Sequence, residues 1–250
     1  MNDSYKLTEF SPTESLMILH PANPSYSAFI KFSLIELINL KVLETYRDSA
    51  GLAQFPNMKY TYIKRGECFY SVDNKNYFPT FTDRFLDKDR HIPIQIYGKT
   101  IFSKVKWVDF KDNLVYKILL DKGIYYDTFL SYFNIYLLTD KGKAIKKQLK
   151  ETLKRLDKAI DNKKDSKIAE ISNELGLNVF LSEKINSKTL KELSSAIKSI
   201  PNSFNYSDSI FVSSYDFGGF SSFDSSFDSF DSSDFGGGDF GGGGDGGSYD

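Results

Sequence analysis

The sequence predicts an α+β fold: two units of paired helices and paired strands, then C-terminal helices, then a disordered tail. Three observations predict it. Apolar residues at helical spacing precede each of two alternating, strand-like runs. A single apolar stripe then runs through Ile145, Leu149, Leu153, Leu156 and Ile160. Beyond Pro201 the chain turns to Gly, Ser, Asp and Phe, and has almost no aliphatic bulk to offset the entropy of ordering.

The elements follow in order. Ser11-Pro12-Thr13-Glu14 starts a helix: Ser11 caps, Pro12 suits the first turn and Glu14 completes a capping box. Pro21 and Pro24 end it early. From Ser25 to about Asn39, apolar residues cover nearly the whole helical circumference, which predicts a buried helix. Lys41 to Arg47 and Met58 to Lys64 alternate as a strand pair around a loop containing Gly51 and Pro56. Gly66 ends the first unit, 1–66. Residues 67–98, with Pro79, Pro93 and a charged run from Asp83 to Arg90, read as a connector, with a short helix at about 82–86.

The plan then recurs over 99–150. Lys99 to Phe110 and Asp112 to Lys122 predict two helices, the second with Leu114, Val115, Ile118 and Leu119 inward and Gly123 as its C-terminal stop. Ile124 to Phe129 and Tyr132 to Leu138 predict a second strand pair. Thr139 caps a long helix over about 140–162, and Gly142 allows close packing at its start. Shorter helices are expected at 166–175, closed by Gly176, and at 187–200, so that 140–200 forms a basic amphipathic helix with a helical extension.

Charge divides the chain sharply. The formal net charge is −1, yet no Lys or Arg follows Lys198, and residues 201–250 carry nine Asp. The first 200 residues therefore carry +8. Within 141–164, ten Lys or Arg face three acids, a net +7. The tail also holds nine Phe, among them Phe223, Phe227, Phe230, Phe235 and Phe240, spaced by Ser, Asp and Gly.

Composition and motifs exclude most chemistry. One cysteine, Cys68, forms no internal disulfide and no Cys-based zinc site, which points to a reducing, cytoplasmic setting. No secretory signal and no transmembrane run is expected. His20 and His91 lack partner motifs and read as capping or surface residues. Asp83, Asp87 and Asp89 interleave with Arg84, Lys88 and Arg90, and a calcium loop begun at Asp87 fails at Ile92 and Gly98. The thrice-repeated Asp-Phe-Gly lies in a Gly-rich tail without other kinase motifs. No catalytic, cofactor or metal residues are assigned, and the chain reads as non-enzymatic.

Tyr136-Leu137-Leu138-Thr139-Asp140-Lys141-Gly142 resembles the Tyr-x-Leu-Thr-x-x-Gly signature that closes the wing of many winged-helix domains. The resemblance covers about 99–150, and 11–66 is similar in element order. It implies tandem winged-helix-like units and, by family habit, DNA binding through the helix before the wing. Those helices are poor in cations, with Lys31 in the first and Lys117 and Lys122 in the second. Ser11-Pro12-Thr13-Glu14 and the Gly236–Gly247 region are also loosely similar to the cytosolic end of a family of predicted bacterial membrane proteins of unknown function.

The cations that remain form the candidate binding surface: Lys143, Lys146, Lys147, Lys150, Lys154, Arg155 and Lys158. They read either as a solvated helix face or as a surface for polyanions. The leading expectation is a cytosolic interaction scaffold with a protein partner held through the tail aromatics. Its acidic tail can also contact its own basic helix. Alternatives are a nucleic-acid-binding regulator autoinhibited by the tail, and peripheral attachment to anionic membrane.

Overall fold

The computed structural model describes residues 5–21, 26–48, 60–70, 78–85, 87, 90–93, 96–97, 100–101, 111–133, 135–182 and 184–185. The fold is α+β, mostly helical, with one small antiparallel sheet. Helix α1 (Pro12–Leu19) opens on the expected capping box: the Glu14 amide donates to Ser11 Oγ at 3.2 Å and the Ser11 amide to Glu14 Oε2 at 2.9 Å. Every residue of α1 is buried, polar ones included. Helix α2 (Tyr26–Asn39) packs across it, tied by the Thr13 and Ser33 hydroxyls at 3.1 Å. Phe29, Ile30, Leu34 and Leu37 of α2 are sealed from solvent, as expected of a helix apolar all round.

Helix α2 stops by left-handed backbone at Lys41, φ 54°. The Val42 amide donates to the Leu37 carbonyl at 2.9 Å and the Lys41 amide to that of Ile38 at 3.0 Å. This pairing satisfies the last carbonyls of the helix. Strand β1 (Leu43–Asp48) follows and pairs with β2 (Tyr60–Arg65), in register from Leu43 opposite Arg65 to Asp48 opposite Tyr60. Leu43 and Ile63 face the core. The solvent side carries a Glu44–Lys64 ion pair at 3.2 Å and stacked rings of Tyr46 and Tyr62.

The segment expected as a connector does more than connect. It supplies β3 (Ile92–Pro93) as a third strand beside β2, helix α3 (Phe78–Thr82) and a 3₁₀ turn (Asp83–Phe85). Phe78, Phe81, Phe85 and Tyr97 are buried there. Aromatic spacing without helical or strand period hid this contribution in the sequence.

The second unit begins, within the described residues, at a π-helical turn, Lys111–Tyr116, that runs into α4 (Lys117–Asp121). The widened turn brings Lys111, Val115 and Tyr116 all toward the interior. Helix α4 stops as α2 does. Gly123 takes φ 68°, its amide donates to the Leu120 carbonyl at 2.8 Å, and the Ile124 amide to that of Leu119 at 2.9 Å.

The strand pair expected next is reduced to one antiparallel bridge, Tyr125 with Leu138, and a 3₁₀ turn (Phe129–Phe133) replaces the strand interiors. Alternation is present in the sequence, but among the described residues no third strand extends the ladder of this hairpin. Its base nevertheless closes like the first. Gly66 donates to the Val42 carbonyl at 2.9 Å in one unit, and Thr139 to the Ile124 carbonyl at 3.0 Å in the other.

Helix α5 (Asp140–Asp161) and helix α6 (Asp165–Leu175) complete the fold, with a 3₁₀ segment (Gly176–Leu181) after them. Helix α5 packs on α1 and α6. One apolar core runs from Leu7 to Ile185. The helix expected at 99–110 lies outside the described residues except at 100–101, and the 187–200 helix and the tail, with Phe223, Phe227, Phe230, Phe235 and Phe240, lie wholly outside them.

Candidate functional site

Helix α5 is set by its first turn. Thr139 Oγ1 accepts from the Gly142 amide at 3.1 Å and donates to the Gly123 carbonyl at 2.8 Å. Gly142 lies directly against the Ile124 carbonyl, where no side chain fits. Thr139 and Gly142 thus fix the direction in which α5 leaves the hairpin. Ile145, Leu149, Thr152, Leu153, Leu156 and Ala159 form the buried face. The exposed side is mainly cationic, with Asp140, Glu151 and Asp161 as its acids.

At 100° per residue, Lys143, Lys147, Lys150 and Lys154 fall within an arc of about 60° and extend over about 17 Å of helix. All four are exposed. Lys143 pairs with Asp140 at 3.1 Å, and Arg155, off the stripe, pairs with Glu174 at 3.1 Å. Lys147, Lys150, Lys154 and Lys158 make no ion pair among the described residues. Lys146 is half-buried, and burial together with Lys150 pulls its ammonium below the ordinary lysine range. His20, at the end of α1, is held below its ordinary value by burial, then by Lys146 and Lys150. Burial is the larger cause of both shifts, and the neighbouring lysines add to it. Sequence spacing located the lysines. It did not place His20 among them, because α1 and α5 meet only in the tertiary fold.

A second feature adjoins the start of α5. The hairpin between Ile124 and Thr139 stands on three tyrosines. The Tyr116 ring lies 4.8 Å from that of Tyr136 and 5.5 Å from that of Tyr125, and Lys111 caps the Tyr136 ring at 4.8 Å. Tyr125 donates to the Met17 carbonyl at 2.8 Å, and burial pushes its phenol well up. The opposite face is bare. Phe129 is 71%, Tyr132 88% and Phe133 67% exposed, with Tyr126, Ile135 and Leu137 also exposed beside them. Sequence alternation predicted a strand pair here and missed that its outward residues are apolar.

Other expected residues are accounted for structurally. His91 Nδ1 meets the Tyr46 hydroxyl at 2.6 Å on the first hairpin. A depression of about 210 Å³ beside it is lined by Arg84, Arg90, His91, Tyr97 and Thr100, among others. Cys68 is a free, half-buried thiol. Among the described residues there is no cluster of three metal-ligating side chains, and no helix is long and apolar enough to cross a membrane. Helix α2, which would read DNA in a winged helix, has its central turns inside the core. No family model, curated protein or solved structure matches the chain.

Proposed function

We propose that the protein is a non-enzymatic cytoplasmic interaction scaffold whose helix α5 engages a polyanionic partner. Tandem winged-helix-like units hold that helix. What supports the tandem reading is the shared closure: the same carbonyl pairing ends α2 and α4, and the same backbone bond closes each hairpin base. The observation that carries the functional reading is the stripe of Lys147, Lys150 and Lys154, exposed and without an acidic partner among the described residues. A solvated face with no binding role would ordinarily interleave both signs of charge.

The nine Asp of residues 201–250 make the tail the nearest polyanion available. It competes for α5, and its Phe residues add weak, repeated contacts to a protein partner. Chromatography of the full chain on a sulfated-polysaccharide resin tests this, with the eluting salt concentration as readout. Lys147→Glu, Lys150→Glu and Lys154→Glu together should elute at clearly lower salt. Replacement of the nine tail Asp by Ser should elute at higher salt. Coelution of the lysine variant with the native chain would remove α5 from the function.

A further inference from the structure

We propose that the hairpin 124–139 inserts its aromatic tip into the interface of an anionic lipid bilayer while α5 lies over the charged surface. This deepens the polyanion reading, on which it rests, by naming the partner as a lipid surface.

The argument begins with a contrast inside one chain. Both hairpins close on the same backbone bonds and send one face inward. Among the described residues, the first carries an ion pair and two stacked tyrosines on its outward face. The second exposes Tyr126, Phe129, Tyr132, Phe133, Ile135 and Leu137 within twelve residues. Exposed apolar residues on this scale mark a contact surface.

The local chemistry selects lipid. Between Gly123 and Thr139 the one carboxylate is Asp127, midway in sequence between the bridge residue Tyr125 and Phe129, so that 128–138 carries no charge. Lysines outnumber acids on both sides of the segment: Lys117 and Lys122 against Asp121 before it, and Lys141, Lys143, Lys146 and Lys147 against Asp140 after it, with Lys122 and Lys143 already ion-paired. An uncharged aromatic tip with a cationic collar matches the layering of a bilayer surface, with aromatic rings at headgroup level and ammonium groups at phosphate level. Duplex nucleic acid would instead present phosphates to the tip, which has no donor charge for them.

The tip also satisfies part of its own backbone. Ser131 donates to the Thr128 carbonyl at 3.1 Å, Ile135 to the Leu130 carbonyl at 3.1 Å and Tyr126 to the Leu137 carbonyl at 2.9 Å. The Ser131 hydroxyl also donates to the Thr128 carbonyl, at 2.9 Å. Internal pairing lowers the cost of leaving water. The three-tyrosine base anchors the loop to α1, so the tip is presented on a fixed support.

The test is cosedimentation of the full chain with vesicles of phosphatidylcholine alone and of phosphatidylcholine with one third phosphatidylserine. The native chain should pellet with the anionic vesicles only. Phe129→Ser, Tyr132→Ser and Phe133→Ser together should cut that binding at least fivefold while leaving the melting temperature and the retention on sulfated resin unchanged. Phe133→Trp, read as the difference from the native chain with its single Trp107, should add a blue-shifted emission on anionic vesicles, reporting burial of the ring. Two results would overturn the inference. One is vesicle binding equal in the native and triple-serine chains. The other is no vesicle binding by a native chain that self-associates through the tip, seen as a dimer in sedimentation equilibrium that the serines abolish. If resin retention persists while vesicles are ignored, the polyanion reading stands and the lipid assignment falls. If both fail, α5 is merely a solvated helix.

Discussion

Gly66 and Gly142 do the same work at two places. A Cβ on Gly66 would run into the Lys41 carbonyl, and one on Gly142 into the Ile124 carbonyl, both backbone atoms that cannot step aside. Each glycine lets a chain segment press against the end of the preceding helix. Gly66→Ala or Gly142→Ala should therefore destabilise the fold by about 2–4 kcal/mol, seen as a lower midpoint in urea denaturation, whereas Gly123→Ala, with open space around it, should incur only the cost of its positive φ, about 1 kcal/mol. His20 offers a pH-dependent counterpart. Its pKa is lowered on folding from the ordinary 6.5, so the unfolded chain binds the proton more readily. The stabilisation from keeping it neutral is therefore complete above pH 6.5 and is lost as pH falls through and below that value. His20→Gln should flatten the fall in stability between about pH 7 and pH 5. The same ring reports on α5: an anion that neutralises Lys146 and Lys150 should raise the His20 pKa, read by NMR titration with and without the sulfated polysaccharide.

At the scale of elements, the legible features were those whose cause lies within one turn of chain. The capping box of α1, the Thr139 cap of α5 and the Gly176 stop of α6 each depend on residues three or four apart, and each stands as spacing implied. Thr139 carries two tasks at once, capping α5 and bonding the Gly123 carbonyl at the hairpin base. Thr139→Ala should thus cost more than an ordinary cap, about 2 kcal/mol, and Thr139→Ser should recover most of it. Loss no larger for Ala than for Ser would mean that the hydroxyl is not what joins hairpin to helix. Less legible were elements whose form is decided by neighbours. Tyr125 and Tyr136 alternate as strand residues should, yet among the described residues the second hairpin has no partner edge where the first has β3. The π-helical turn at Lys111–Tyr116 has no local signature either: it exists because Lys111, Val115 and Tyr116 all find the interior. The same limit applies to the candidate site. The lysines of α5 could be read from their spacing, but the exposure of Phe129, Tyr132 and Phe133 could not, because their sequence is equally that of a buried strand.

For the whole molecule, the decisive contacts join the start of the described chain to its end. Gln148 on α5 receives the Tyr5 amide at 2.9 Å and returns a bond to the Tyr5 carbonyl at 2.8 Å. Lys122 reaches from the second unit to the buried Glu14 at 2.7 Å and also to the Glu9 carbonyl at 3.1 Å. Asn178, fully buried, donates to the carbonyls of Leu7 and Phe10 at 2.9 and 3.0 Å. None of these partners can be paired from sequence, since each link spans more than a hundred residues and uses a residue type common on surfaces. They make one cooperative body of what reads as separate units. Lys122→Met removes the Lys122 ammonium from the buried Glu14 carboxylate. Because Lys122 is itself about one third exposed, solvent screens part of the loss, and about 2 kcal/mol is expected. Asn178→Ala removes a donor shared by two buried carbonyls, of which that of Leu7 keeps the Phe10 amide at 3.2 Å, and should cost about 2 kcal/mol. The two sites lie in different units by chain order, so the distinction that matters is cooperativity. If the links hold a single body, Asn178→Ala should lower one common urea midpoint, followed equally by far-ultraviolet circular dichroism and by the near-ultraviolet circular dichroism of the buried tyrosines. Two separated transitions in that variant would mean instead that the α5–α6 end unfolds apart from the hairpin units, and that the orientation of the cationic helix is not fixed by the body it grows from.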